Sequence, residues 1–147
     1  MVTIRALFII LLIPMISACS SLPKPITQSP DLTTNTATIV ASREGAYFLV
    51  VMDIAEEFAS NPYAVIQYQE LNNPQKYKAL ELGGIGESKR LTFKSRPDKK
   101  VHADTPYSVL ISLYDNPNYS NVIAQRSVVI MPNIPTKIAD LMDIQLL

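Results

Sequence analysis

Alternating apolar and polar side chains over residues 107–114 restrict this chain to folds that are built on β-sheets. Tyr107, Val109 and Ile111 fall on one side of an extended segment, and serine and leucine side chains fall on the other. Successive side chains of a strand point to opposite faces of its sheet, so this spacing predicts a strand with one buried face. Four further segments have the composition of strands: residues 46–54, 63–69, 88–94 and 122–131.

The connections between these segments favour a sandwich of two sheets. Asp115-Asn116-Pro117-Asn118 has the composition of a tight turn, which predicts a hairpin between residues 107–114 and 122–131. Residues 46–54 are apolar almost throughout, which predicts a strand that is covered on both faces. Two weaker patterns predict short strands at residues 36–41 and 101–103.

One short helix is predicted between Asn73 and Gly83. Asn73 suits an N-cap, Pro74 suits the first helical position, and Tyr77 and Leu80 recur at helical spacing. The tail, residues 138–147, fits both a helical and an alternating pattern, and a turn into a final strand is the favoured interpretation. The sequence therefore predicts a mainly β protein, an immunoglobulin-like β-sandwich with one short helix.

The N-terminus carries a second strong pattern. An apolar run over residues 6–13 follows Arg5, and the small residues of Ile16-Ser17-Ala18-Cys19 lead into the only cysteine. The run is too short for a bilayer-spanning helix, which needs roughly 20 residues. This pattern resembles the lipobox of bacterial lipoprotein signal peptides. The alternatives are an ordinary secretory signal with an incidental cysteine and a buried apolar helix.

The lipobox resemblance implies three parts to the chain. Residues 1–18 would be a signal peptide that is removed, and Cys19 would carry the lipid. Residues 19–45 would form the lipidated cysteine and a disordered tether, because three prolines stand among polar residues there. Residues 46–147 would form the sandwich. In this family, an aspartate directly after the cysteine often retains the protein in the inner membrane. Because this position is Ser20 here, the resemblance implies that the protein is anchored at the periplasmic face of the outer membrane.

Composition and motifs argue against several functions. Thirteen basic and thirteen acidic residues balance, so no basic excess exists to neutralise the phosphates of a nucleic acid. The single His102 lacks a cysteine or histidine partner for a metal. Gly83-Gly84-Ile85-Gly86 lacks the spacing and the Lys-Ser/Thr ending of a phosphate-binding loop. We therefore expect that the protein has no catalytic residue, no bound metal and no cofactor, and that it is not an enzyme.

Binding through loops at one end of the sandwich is the remaining expectation, because rigid strands position variable segments there. The segment between the predicted strands 46–54 and 63–69 places an aromatic residue beside charged and polar ones. We predict that the residues that contact a partner protein are Glu56, Glu57, Phe58 and Asn61.

The order of features resembles the TssJ family, the outer-membrane lipoproteins of the type VI secretion membrane complex. The features are the lipobox and tether, the stretch Tyr68-Gln69-Glu70-Leu71, the helix with Tyr77 and Leu80, the Gly86-Glu87 turn, Leu91-Thr92-Phe93, and residues 107–115. The resemblance implies a transthyretin-like β-sandwich whose partner is the periplasmic domain of an inner-membrane secretion subunit. The chain departs from the family at Ile85, where a proline is usual, and in a shorter loop at residues 54–62.

The implied function is to dock that partner and so tether an envelope-spanning secretion complex to the outer membrane. One alternative is a pilotin or chaperone lipoprotein that escorts a client to the outer membrane. Another is a β-sandwich that binds a small ligand or acts as an inhibitor.

Overall fold

The computed structural model describes residues 28–55, 61–86 and 88–147. The predicted signal peptide, Cys19 and the first part of the predicted tether, up to residue 27, lie outside these residues. The described part is mainly strand, with one short helix. The strands are β1 (Leu32–Ser42), β2 (Gly45–Ile54), β3 (Tyr63–Glu70), β4 (Asn73–Gly84), β5 (Arg90–Lys94), β6 (Lys100–Val101), β7 (Tyr107–Tyr114), β8 (Val122–Ile130) and β9 (Gln145–Leu146), and the helix is α1 (Thr136–Met142).

Two antiparallel sheets form the body of the protein. One has the strand order β1-β2-β5 and the other has the order β4-β3-β7-β8. A short parallel pair of β6 and β9 lies beside them. The predicted β-sandwich is confirmed, and so is the hairpin between β7 and β8.

The core lies between the two sheets and is filled by the alternate residues that the sequence predicts. On β7, the side chains of Tyr107, Val109 and Ile111 are fully buried. The ring of Phe48 on β2 lies 5.5 Å from the ring of Tyr107 and 6.1 Å from that of Tyr68, edge to face in both cases. Aromatic pairs at these distances and angles join one sheet to the other.

The helix predicted between Asn73 and Gly83 is wrong, because this segment is strand β4. It pairs with β3 along its length after a tight turn at residues 71–72, with Tyr77 opposite Gln69 and Leu80 opposite Ile66. The spacing of Tyr77 and Leu80 fitted a helix, but the neighbouring edge of β3 offers the backbone a ladder of hydrogen bonds. Tertiary pairing of this kind overrides weak helix propensity.

The short helix of the fold is α1, in the tail. It begins after Pro135, whose carbonyl accepts hydrogen bonds from the amides of Ile138 and Ala139. It ends at Asp143, which has a left-handed conformation with φ 55°. A final strand, β9, follows as predicted, but the turn expected before it is this helix.

The sandwich also begins earlier than the predicted boundary at Ala46. Strand β1 pairs with β2 from Leu32 opposite Ile54 to Ser42 opposite Gly45, and Leu32 is buried. From residue 28 onward the predicted tether is therefore part of the fold. The prolines suggested an unstructured segment, but the threonine-rich run of β1 is well suited to a strand. Strand β2 also differs from expectation, because only one of its faces is fully buried.

A buried phenol closes one end of the core. The hydroxyl of Tyr107 donates a hydrogen bond of 2.7 Å to the carbonyl of Leu71 and accepts one of 2.9 Å from the amide of His102. Burial raises the pKa of the Tyr107 phenol above its ordinary value. The side chain thus ties the β3–β4 turn and the segment after β6 to the start of β7.

We expect Tyr107→Phe to lower the free energy of unfolding by about 1–3 kcal/mol, because the Leu71 and His102 backbone groups lose their partner in a buried site. Urea denaturation followed by circular dichroism measures this change. Tyr77→Phe is the matched control. Tyr77 is 65% exposed, so the loss of its hydroxyl should leave the free energy of unfolding unchanged. Equal stabilities of the two variants would contradict the role assigned to the Tyr107 hydroxyl.

Candidate partner-binding end of the sandwich

Three connections meet at one end of the sandwich, which we call the loop end. They join β2 to β3, β4 to β5, and β7 to β8. Tyr63 at the start of β3 pairs with Gly84 at the end of β4 and with Tyr114 at the end of β7, which places these connections side by side. The amide of Ala55 donates to the carbonyl of Asp31, so the start of β1 lies at the same end.

Of the four predicted contact residues, only Asn61 lies within the described residues. Glu56, Glu57 and Phe58 lie outside them, in the connection from β2 to β3, and their role stays a prediction. The strand ends on both sides of this connection, Ile54 of β2 and Tyr63 of β3, lie at the loop end.

Asn61 has a clear structural task. Its backbone is left-handed, with φ 72°, a conformation that asparagine tolerates better than most residues. Its Oδ1 accepts a hydrogen bond of 2.7 Å from the amide of Gly86, and the amide of Ile85 donates to the carbonyl of Pro62. Asn61 therefore fastens the connection after β4 to the start of β3.

A cluster of three tyrosines, which the sequence did not predict, lies at the loop end. The ring of Tyr119 lies 6.2 Å from that of Tyr63 and 5.4 Å from that of Tyr114, edge to face in each case. All three side chains are half-buried. Tyrosines with one apolar and one wet side are enriched at protein interfaces. We call Tyr63, Tyr114 and Tyr119 the tyrosine cluster.

The turn that holds Tyr119 is built by polar contacts of Asn116. The amide of Tyr119 donates to the Asn116 carbonyl at 3.2 Å, and the amide of Ser120 donates to Asn116 Oδ1 at 3.2 Å. Tyr119 itself is left-handed, with φ 52°. These bonds turn its ring back onto the ends of β3 and β7, which is why composition alone could not place it there.

An ion pair borders the loop end on the other sheet. Arg90 Nε donates to Asp53 Oδ1 at 2.8 Å, and Asn35 Nδ2 donates to Asp53 Oδ2 at 2.6 Å. The hydrogen bond from Arg90, followed by that from Asn35, lowers the pKa of the Asp53 carboxyl below its ordinary value. These bonds fix the ends of β1, β2 and β5 relative to one another. Because the groups are exposed, the ion pair adds little stability.

Side chains that could together bind a metal ion do not assemble in the described residues. His102 is half-buried, and its Nε2 lies 3.3 Å from the carbonyl oxygen of Asn72. Across residues 28–55, 61–86 and 88–147, no three histidine, cysteine, aspartate or glutamate side chains converge to hold a metal ion. In the same part of the chain, no helix has the length and apolar character needed to cross a membrane.

Asn61 variants separate its structural task from a binding role. We expect Asn61→Ala to destabilise the protein by about 2 kcal/mol, because it loses the bond to Gly86 and places alanine in a left-handed conformation. Asn61→Gly keeps the backbone freedom and should cost about 1 kcal/mol. Urea denaturation gives both values. An alanine variant as stable as the parent protein would show that Asn61 does not hold this turn.

Comparisons of the chain with models of protein families, with curated proteins and with solved structures give no match.

Proposed function

We propose that this protein is a lipoprotein of the outer membrane that docks a partner protein in the periplasm and tethers an envelope-spanning secretion complex. The observation that carries the proposal is the motif Ile16-Ser17-Ala18-Cys19 after a short apolar run. A lipid on Cys19 supplies the anchor, and the sandwich supplies the docking surface. Each buried CH₂ group of the acyl chains contributes about 0.8 kcal/mol, so several chains give a stable anchor.

The fold shortens the tether that the sequence suggested. Gln28 and Ser29 are already attached to β8, through the bridge to Arg126 and the Ser29 amide bond of 2.7 Å to the Gln125 carbonyl. Cys19 lies only nine positions before Gln28 in the chain. A fully extended chain of this length spans at most about 30 Å. The sandwich would therefore stay close to the membrane surface.

The loop end is the surface that we assign to the partner. The tyrosine cluster offers half-exposed aromatic area, and the neighbouring connections are rich in acids. Among the described residues at this end, Asp31, Asp53 and Asp115 are acidic and Lys89 and Arg90 are basic. The sequences of the connections add Glu56, Glu57 and Glu87. Complementary charge favours a partner with a basic surface, and it raises the rate of association. The periplasmic domain of an inner-membrane secretion subunit is the partner that we propose.

The type VI assignment rests on the resemblance to the TssJ family. The lipobox, the β-sandwich and the order of the strands support it. The helix with Tyr77 and Leu80 no longer does, because both residues lie on strand β4. The assignment to this one secretion system is therefore the most specific part of the proposal. The general part is a lipid anchor combined with a docking surface.

A pilotin or chaperone lipoprotein is the second candidate, and β4 favours it. This strand is twelve residues long and lies at the edge of its sheet, with Tyr77 exposed. An unpaired strand edge can accept an extended segment of a client by backbone hydrogen bonds. Different substitutions would disrupt binding at β4 and binding at the loop end.

Cys19→Ser tests the anchor. We expect the variant to move from the membrane fraction to the soluble periplasmic fraction and secretion to fail, because neither lipid nor membrane proximity remains. Fractionation and immunoblotting measure its distribution, and circular dichroism checks that the sandwich is intact. A variant that keeps full function in soluble form would contradict the tethering proposal.

Paired charge and aromatic changes separate the two docking surfaces. We expect Glu57→Lys/Phe58→Ala to reduce retention of the inner-membrane subunit in a pull-down by about tenfold, the loss expected when an aromatic anchor of an interface is truncated. Glu81→Lys/Tyr77→Ala makes the same chemical changes on β4 and should leave retention unaltered.

The reverse pattern, with loss only in the β4 variant and mislocalisation of a client, would favour the chaperone function. Unaltered binding and secretion in the Glu57/Phe58 variant would remove the loop end from the proposal.

A further inference from the structure

We propose that the sandwich has a fixed orientation on the membrane, with an apolar surface around α1 resting on the lipid headgroups and the loop end facing away. This inference rests on the proposed lipidation of Cys19. The end of the molecule that holds α1 is called the helix end. It comprises the β1–β2 and β3–β4 turns, residues 95–106, and the tail from residue 131.

The first support is the direction in which the chain leaves the fold. Gln28 forms an antiparallel bridge with Arg126, and Gln28 Nε2 donates to the carbonyl of Ser127 at 3.0 Å. Ser29 lies one step nearer the loop end, where its amide donates to the carbonyl of Gln125. Traced from Ser29 to Gln28, the chain runs along β8 toward Ile130. The route to Cys19 therefore leaves the described part in the direction of the helix end.

The second support is the length of chain outside the described residues. Gln28 lies opposite the middle of β8, and the four residues from Arg126 to Ile130 cover about 14 Å at 3.4 Å per residue. Nine residues reach at most about 30 Å, so about 16 Å of chain remains beyond the end of β8. A lipid on Cys19 would therefore hold the helix end within contact distance of the bilayer.

The third support is the surface of the helix end itself. Ile138 and Leu141 are three residues apart on α1 and point outward, whereas Ala139 on the same helix is buried against the core. Leu141 is 75% exposed and Met131, directly after β8, is 55% exposed. Leu147 adds a further exposed apolar side chain at this end. Ile138 and Leu141 are neighbours because residues three apart lie on one face of a helix, and an exposed apolar face of this kind favours an interaction site.

The charges of the two ends favour the same orientation on the membrane. Anionic lipids give a membrane a negative surface potential, which repels the acid-rich loop end. The helix end has balanced charge and carries no such barrier. Its basic residues are Arg43, Arg96, Lys99, Lys100 and Lys137, and its acidic residues are Glu44, Asp98, Asp104, Asp140 and Asp143. The apolar surface can therefore approach the headgroups, and the loop end stays free for its partner.

Fluorescence quenching by membrane lipids tests this orientation. The full chain is purified from bacterial membranes as Lys137→Cys or Asn118→Cys, and the new thiol is labelled with an environment-sensitive dye. Each sample is reconstituted in phosphatidylethanolamine–phosphatidylglycerol vesicles that contain a headgroup-level spin-labelled lipid. Both positions are exposed, one on α1 and one at the loop end. Mass spectrometry of the same samples reports whether Cys19 carries a lipid.

We expect quenching at position 137 to exceed that at position 118 by about twofold or more, because interfacial apolar faces penetrate only about 5–10 Å. Adding Ile138→Ser and Leu141→Ser to the Lys137→Cys chain should remove the difference. These side chains lie on the surface, so the fold should persist, which a urea titration checks.

Equal quenching at both positions, or stronger quenching at position 118, on a chain whose Cys19 is lipidated would overturn the orientation and leave the anchor intact. A Cys19 without lipid would overturn the anchor and the orientation together.

Discussion

Packing between Phe48, Tyr68 and Tyr107 is the interaction on which the rest of the structure depends. These rings come from strands of both sheets, and their edge-to-face contacts set how the sheets stack. The Tyr107 hydroxyl extends the same contact to the β3–β4 turn through the Leu71 carbonyl. The strand ends are fixed in consequence, and with them the positions of the connections at the loop end and of the tail at the helix end.

The fold was predictable from sequence wherever one face of a strand is uniformly apolar. Strands β3, β5 and β7 follow directly from alternation, because a shift by one residue would expose the buried side chains. Strand β4 was not predictable in this way. It lies at the edge of its sheet and most of its side chains are exposed, so its burial pattern carries little periodicity and Tyr77 and Leu80 fitted a helix as well. Its structure comes from pairing with β3.

The candidate site was less predictable than the fold, because it is assembled by long-range pairing. Tyr63 and Tyr114 are neighbours only because β3 and β7 are adjacent in register, and Tyr119 joins them through a turn held by Asn116. Asn61 was predicted to contact a partner, but its left-handed backbone and its bond to Gly86 could not be read from the sequence, and they give it a structural task. The motif that ends in Cys19 differs from this site, because its residues are consecutive in the chain and the sequence alone contains it.

The proposed function joins a local motif to a surface that exists only in the fold, and the lipid on Cys19 is its central claim. The most direct measurement is the mass of the N-terminal peptide of the chain recovered from bacterial membranes. The account predicts a peptide that begins at Cys19 and carries diacylglycerol on the sulfur. A peptide that retains residues before Cys19, or one with a free Cys19 thiol, would contradict it.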